Sequence, residues 1–144
     1  MEISLMGKVL VPAKIENVND LYNAETGLVR PDQVRSLEVT EALVDTGATT
    51  LSMPRRLIEQ LGLRPLRFRR ALTTAGDVTV QVFGTVRLTV QGRDCTVDVS
   101  EVADACPVLI GQVPLELLDF VVDPAGQRLI GNPAHGGEQM IELY

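Results

Sequence analysis

The alternation of apolar and polar residues along this chain predicts strands far more often than helices. GKVLVPAKI at 7–15 alternates as a strand, and SLEVTEALV at 36–44 is a second β-rich run that stops on Asp45. Between them ENVNDLYNAETGLVRPDQ, full of Asn, Asp, Gly and Pro, reads as a loop or wide hairpin. TTLSM after Asp45 allows a further short strand. PRRLIEQLGL then carries the signals of a short helix, with Pro54 at the first helical position, Leu57 and Leu61 a turn apart, and Gly62 at the stop.

From 67 to 100 the period returns to two. RFRRALTTAGDVTVQVFGTVRLTV sets Ala75-Gly76-Asp77 between two strand-like runs, which predicts a hairpin whose tip uses a glycine for positive φ. QGRD at 91–94 turns the chain into CTVDVSEV, a further strand, and CPVLIG is a brief apolar run closed by Gly111. VPLELLDF has room for two helical turns, and VVDPAGQRLI reads as strand, turn, strand. The expected fold class is all-β with one or two short helices, in one domain over residues 1–144.

Composition narrows the function classes. A chain of 144 residues can bury a core without disulfide staples, and with 45% hydrophobic but only 3% aromatic residues that core must be Val, Leu, Ile and Ala. A net charge of -6 opposes a polyanion, and no long apolar or basic amphipathic run points to a membrane, so neither nucleic acid nor membrane is an expected partner. MEISLMGKVL, with an acid at position 2, lacks the parts of a secretory signal, and a cytoplasmic location is the expectation. Cys95 and Cys106 match neither a metal pair nor a redox Cys-x-x-Cys and read as buried free thiols. His135, in NPAHGGEQM, is expected on an exposed loop; a thiol–histidine pair, or a metal held with Glu138, is a lesser alternative. Arg55, Arg56, Arg64, Arg67, Arg69 and Arg70 form a basic cluster in an acidic protein, read as the solvated face of a strand, with a docking patch for an acidic partner as the alternative.

One carboxylate stands out. In EALVDTGATTLSMP, Asp45 ends an apolar strand, a position where Asp commonly initiates a turn by accepting backbone N–H bonds two residues on. Its company changes the balance. Leu43-Val44 before it, Thr46-Gly47-Ala48 after it, the glycine-centred hairpin and Val108-Leu109-Ile110-Gly111, in that order, resemble the retropepsin-like aspartic proteases from about Ser36 to about Ile130. The N-terminal strand and loop at 1–35 and the tail GNPAHGGEQMIELY match only weakly.

The resemblance implies a retropepsin-like acid-protease barrel, with two strands crossing in a ψ-shaped arrangement at the Asp-Thr-Gly loop and half a site per monomer. It also implies an aspartic endopeptidase that acts on peptide or protein substrates as a symmetric homodimer, with no metal or cofactor. Two facing carboxylates about 3 Å apart cannot both ionise, so they share a proton around one water. In this mapping Asp45, Thr46 and Gly47 carry catalysis. Thr46 clamps the loops across the two-fold axis, and Gly47, without a Cβ, lets substrate backbone pass close. Ala48 lacks the hydroxyl that a serine would offer the carboxylate, so activity is expected to extend toward neutral pH. Ala75, Gly76 and Asp77 map to the tip of a flap closing over bound peptide, Val108 and Leu109 to the pocket beside the dyad, and Gly111 to a tight turn into a helix. Retroviral enzymes carry an Asp and an Arg where this chain has Thr49 and Gln112. The alternative is a catalytically weak or inactive peptide-binding or assembly module on the same dimeric fold.

Overall fold

The computed structural model describes residues 8–123 and 125–143. The first strand, β1 (Val9–Asn17), buries Val9, Val11, Ala13 and Ile15 while Leu10, Pro12 and Lys14 face out. The chain then departs from the expected loop. Asn17 accepts a hydrogen bond from the Asp20 N–H at 3.0 Å and caps a helix, α1 (Val18–Glu25), and a single 3₁₀ turn follows at Pro31–Gln33. Asn and Asp offer the backbone the same local bonds in a turn and at a helix start, so the composition alone suggested the wrong one. Asp20 is buried and its carboxylate accepts from the Arg35 backbone N–H, Nε and Nη2 at 3.0, 2.8 and 2.9 Å. That guanidinium holds the carboxyl below the usual range and ties α1 to the entry of the next strand.

The remaining elements are β2 (Ser36–Val44), β3 (Leu51–Pro54), α2 (Arg55–Gln60), β4 (Arg64–Thr73), β5 (Gly76–Val90), β6 (Arg93–Val102), β7 (Leu109–Ile110), α3 (Gln112–Leu118), β8 (Phe120–Asp123) and β9 (Arg128–Gly131). The described residues hold three α-helices rather than one or two, in a fold that is mostly β. Pro54 is the N-cap of α2, one position before the expected one. Seven strands pair in the order β1-β2-β7-β3-β6-β5-β4, and a further pairing of β1 with β5 closes six of them into a ring, leaving β4 hung on β5. The pair β8–β9 stands apart as a small antiparallel ribbon. No helix among the described residues is long and apolar enough to cross a membrane.

The ψ-shaped arrangement is present. Strand β7 lies between β2 and β3, parallel to the first and antiparallel to the second. Residues opposite one another across a sheet share a face. The row Val44, Ile110, Leu51, Val99, Phe83 therefore faces one way, and all five belong to the main core cluster with Ile15, Met53, Val86, Leu88, Leu115 and Leu118.

The β4–β5 hairpin turns at Thr74–Ala75, one residue earlier than expected. Thr73 pairs with Gly76, whose φ of +106° is the positive value foreseen for it. The Thr73 hydroxyl donates to the Gly76 carbonyl and accepts from the Ala75 N–H. Asp77 is on the return strand opposite Leu72, where it pairs with Arg70 at 2.7 Å.

Candidate active site

The loop at 45–50 is built by backbone bonds to the β7–α3 junction. The Asp45 N–H donates to the Ile110 carbonyl, the Gly111 N–H to Thr50, the Gln112 N–H to Ala48 and the Val113 N–H to Thr49, all between 2.8 and 2.9 Å. Gly111 is needed for proximity rather than for its φ of -86°. A Cβ there would lie 2.5 Å from the Thr50 carbonyl oxygen and 2.7 Å from that of Ala48. The expected tight turn at Gly111 is thus a close approach of two backbones.

Within the loop Asp45 initiates the turn expected of it. Its Oδ1 accepts the Gly47 N–H at 3.0 Å and its carbonyl accepts the Ala48 N–H at 3.0 Å, which makes the turn. Its Oδ2 takes no hydrogen bond among the described residues. Thr46, Gly47 and Thr49 are exposed, while Asp45 and Ala48 are half-buried, so the loop is presented at the surface of the monomer. Thr49 and Gln112, which replace the acid and arginine of retroviral relatives, still clamp through their backbones. The Gln112 side chain turns along its own helix to Glu116 at 3.2 Å.

The face opposite the core carries a second row. Leu43, two residues before Asp45, lies beside Leu109, then Ser52, Ser100, Val82 and finally Arg67 at the root of the hairpin. Leu43, Leu109, Ser52 and Val82 are buried, yet none belongs to the main core cluster. The Thr50 hydroxyl donates to Ser100 Oγ at 3.1 Å and lies 3.4 Å from Ser52 Oγ, so the middle of the row is polar. Leu109 lies in this row, whereas the neighbouring Val108 is buried in the core cluster with Ile110. Leu43, Ser52, Val82 and Ser100 were not singled out from the sequence. Their alternation was visible, but the partner strands were not. Ala75, Gly76 and Asp77 sit at the far end of the hairpin, and no hydrogen bond joins them to the 45–49 loop among the described residues.

A second polar cluster gathers around Asp119, the left-handed C-cap of α3. Its carboxylate accepts from Asn132 Nδ2 at 3.1 Å and from the Met140 N–H at 3.0 Å, and it lies 2.6 Å from His135 Nδ1. His135 Nε2 lies 3.1 Å from Glu142 Oε1. His135 is therefore not on an open loop: its side chain is only 13% exposed and both ring nitrogens face carboxylates, neither of them Glu138 and neither a thiol. Hydrogen bonding to Asp119, then to Glu142, raises the His135 pKa, and the same bond lowers that of Asp119. The raised histidine contributes stability in full below its unfolded value of about 6.5, lost as pH rises through the folded value. The lowered Asp119 contributes above about 3.8, lost as pH falls through its folded value. Wild-type protein should therefore melt higher than His135→Gln at pH 5.5, with the gap closing by pH 9. A gap that does not change with pH in a thermal-melt series would show that the imidazolium charge is not what holds the tail.

Cys95 and Cys106 are free and half-buried. Burial, with Asp94 adding to it, pushes the Cys95 thiol up to about 11, away from nucleophilic use at neutral pH.

A family model described as gag-polyprotein putative aspartyl protease matches residues 36–117, a stretch that holds the Asp45 loop, the β4–β5 hairpin and the Gly111 clamp. No curated protein matches the chain. With more than half of its length covered and the ψ-shaped pairing in place, the chain belongs to the gag-polyprotein aspartyl protease family, with a retropepsin-like fold.

Proposed function

We propose that this protein is an aspartic endopeptidase that works as a symmetric homodimer, with Asp45 of each copy supplying half of the dyad. The observation that carries the reading is the Asp45 loop itself. An Asp-Thr-Gly turn, locked by four backbone bonds to the β7–α3 junction, presents its carboxylate and Thr46 at the surface of the monomer. One chain carries one such loop, and the chemistry needs two carboxylates.

In the assembled site the ionised Asp45 takes a proton from the water as its oxygen attacks the scissile carbonyl. The protonated mate donates to the carbonyl oxygen, giving a neutral gem-diol. Collapse returns a proton from the diol to the dyad and delivers another to the leaving amine, so the dyad ends as it began. Thr46 clamps the two loops across the axis, and Gly47 leaves room for the peptide backbone. The hairpin with Ala75, Gly76 and Asp77 near its tip closes over the peptide and excludes water. The free thiols suit a reducing compartment, consistent with action in the cytoplasm.

Departure from the retroviral pattern at Thr49 and Gln112 favours the second reading, a peptide-binding module that cleaves poorly. Dilution separates the two. If each monomer holds half a site, specific activity on an unstructured protein near pH 5–6 should fall as total protein drops below the dimer dissociation constant, and Thr46→Ala should move that midpoint to higher concentration. Constant specific activity across the range, with light scattering reporting monomer, would overturn the dimeric mechanism. Peptide binding without any cleavage would favour the module.

A further inference from the structure

The basic cluster has an address in the fold. Between Arg55 and Arg70 six arginines accompany one acid, Glu59, while the rest of the chain carries seven basic side chains against eighteen acidic ones. The net charge of -6 thus hides a strongly positive segment on an acidic molecule. Strand register divides its members. Arg67 lies opposite Val82 and Arg69 opposite Val80, so both share the face of the Leu43–Leu109–Ser52–Ser100–Val82 row that starts beside Asp45. Phe68 and Arg70 take the other face, where Arg70 is occupied by Asp77. Arg55 is likewise occupied, by Glu101 and Gln81.

Arg67 and Arg69 are different. Both are exposed, at positions i and i+2 of one strand and so about 6.8 Å apart along it. Arg67 has only a long contact to Asp98, 3.4 Å, and Asp98 is already bonded by the Thr85 hydroxyl at 2.9 Å. Arg69 has no acidic partner among the described residues. An unpaired guanidinium and a loosely paired one therefore stand at the β4 end of this row, beyond Val82 from the polar Ser100 and Ser52. Two planar donor forks at this spacing suit a carboxylate, which would otherwise be repelled by Asp98.

We infer that Arg67 and Arg69 select substrates carrying an acidic side chain, held at the β4 end of the row that starts beside Asp45. The inference rests on the endopeptidase reading for what happens after binding, but its test does not. The probe is a set of fluorescein-labelled decapeptides in which Glu replaces Gln at one position at a time, bound to Asp45→Asn protein and read by anisotropy at pH 6.5. Glu should be favoured over Gln roughly fivefold at one or two adjacent positions, as for a partly exposed charge pair. That preference should shrink in 0.5 M salt and disappear in the Arg67→Gln, Arg69→Gln double variant. Both side chains are exposed, so the double variant should keep the wild-type melting temperature. Equal binding of Glu and Gln peptides at every position, or a preference unchanged in the double variant, would overturn the inference. So would a double variant whose dimer dissociation constant moves while its peptide preference stays, since the face would then belong to a second copy. Discrimination by Asp45→Asn together with no cleavage by wild-type protein would uphold the acidic subsite and sink the endopeptidase reading instead.

Discussion

Asp45→Asn is expected to lower kcat by about 10²–10⁴-fold or more while leaving fold and dimer in place, because an amide can neither take the water's proton nor cycle as an acid. The structure makes this a clean test. The one side-chain bond of Asp45 among the described residues, Oδ1 accepting the Gly47 N–H, is open to the Asn amide oxygen as well, so the turn has no reason to rearrange. The Asp45 N–H bond to Ile110 and the Ala48 N–H bond to the Asp45 carbonyl are backbone and indifferent to the change. Circular dichroism, the melting temperature and sedimentation should match wild type. Turnover of an unstructured protein that survives the substitution would rule out aspartic catalysis here.

Gly111→Ala should be the most damaging single methyl group near the site. Its Cβ would enter a space where the Thr50 and Ala48 carbonyl oxygens are 2.5 and 2.7 Å away and the Thr49 carbonyl carbon is also 2.7 Å away, all backbone atoms that cannot rotate aside. Either α3 or the Asp45 loop must move. The expected cost is about 1–3 kcal/mol, or a melting temperature lower by roughly 3–12 °C. Activity should fall by more than the folded fraction does, since the displaced segment is the one that aims Asp45. Gly92→Ala provides the contrast: nothing stands within 4 Å of its Cβ, so only its φ of +80° opposes the change. A Gly111→Ala protein with wild-type melting and wild-type kcat would show that the close approach in the clamp is not maintained in solution.

The Asp45 loop and the acidic subsite depend on different parts of the chain, and the two classes of variant should behave differently. On the proposed mechanism, changes at Asp45 or Gly111 should act on kcat through the reacting groups or their aim. Changes at Arg67 and Arg69 act on which peptides are held, through charges that salt can screen.

Much of this was legible from residue order alone. Period-two alternation marked β1 and β6, β-rich runs marked β2 and β5, and Gly76 marked the positive-φ residue of the hairpin because side chains rarely adopt that conformation. Asp45-Thr46-Gly47 after an apolar strand marked the candidate site, and the basic run marked a charged strand. Local chemistry misled where one residue type serves two structures: Asn17 caps a helix rather than making a loop, and His135, among turn residues, is held between two carboxylates. What only the tertiary structure decided was adjacency. Which strand lies beside β2 is not written in β2, because hydrogen bonding between strands is blind to separation along the chain. Only once β7 threads between β2 and β3 does Gly111 become a residue that cannot carry a Cβ. The same pairing sends Val108 to the core and Leu109 to the Asp45 face. It also separates Arg67 and Arg69, on the face that carries Leu43 and Leu109, from Arg70, which is neutralised on the other.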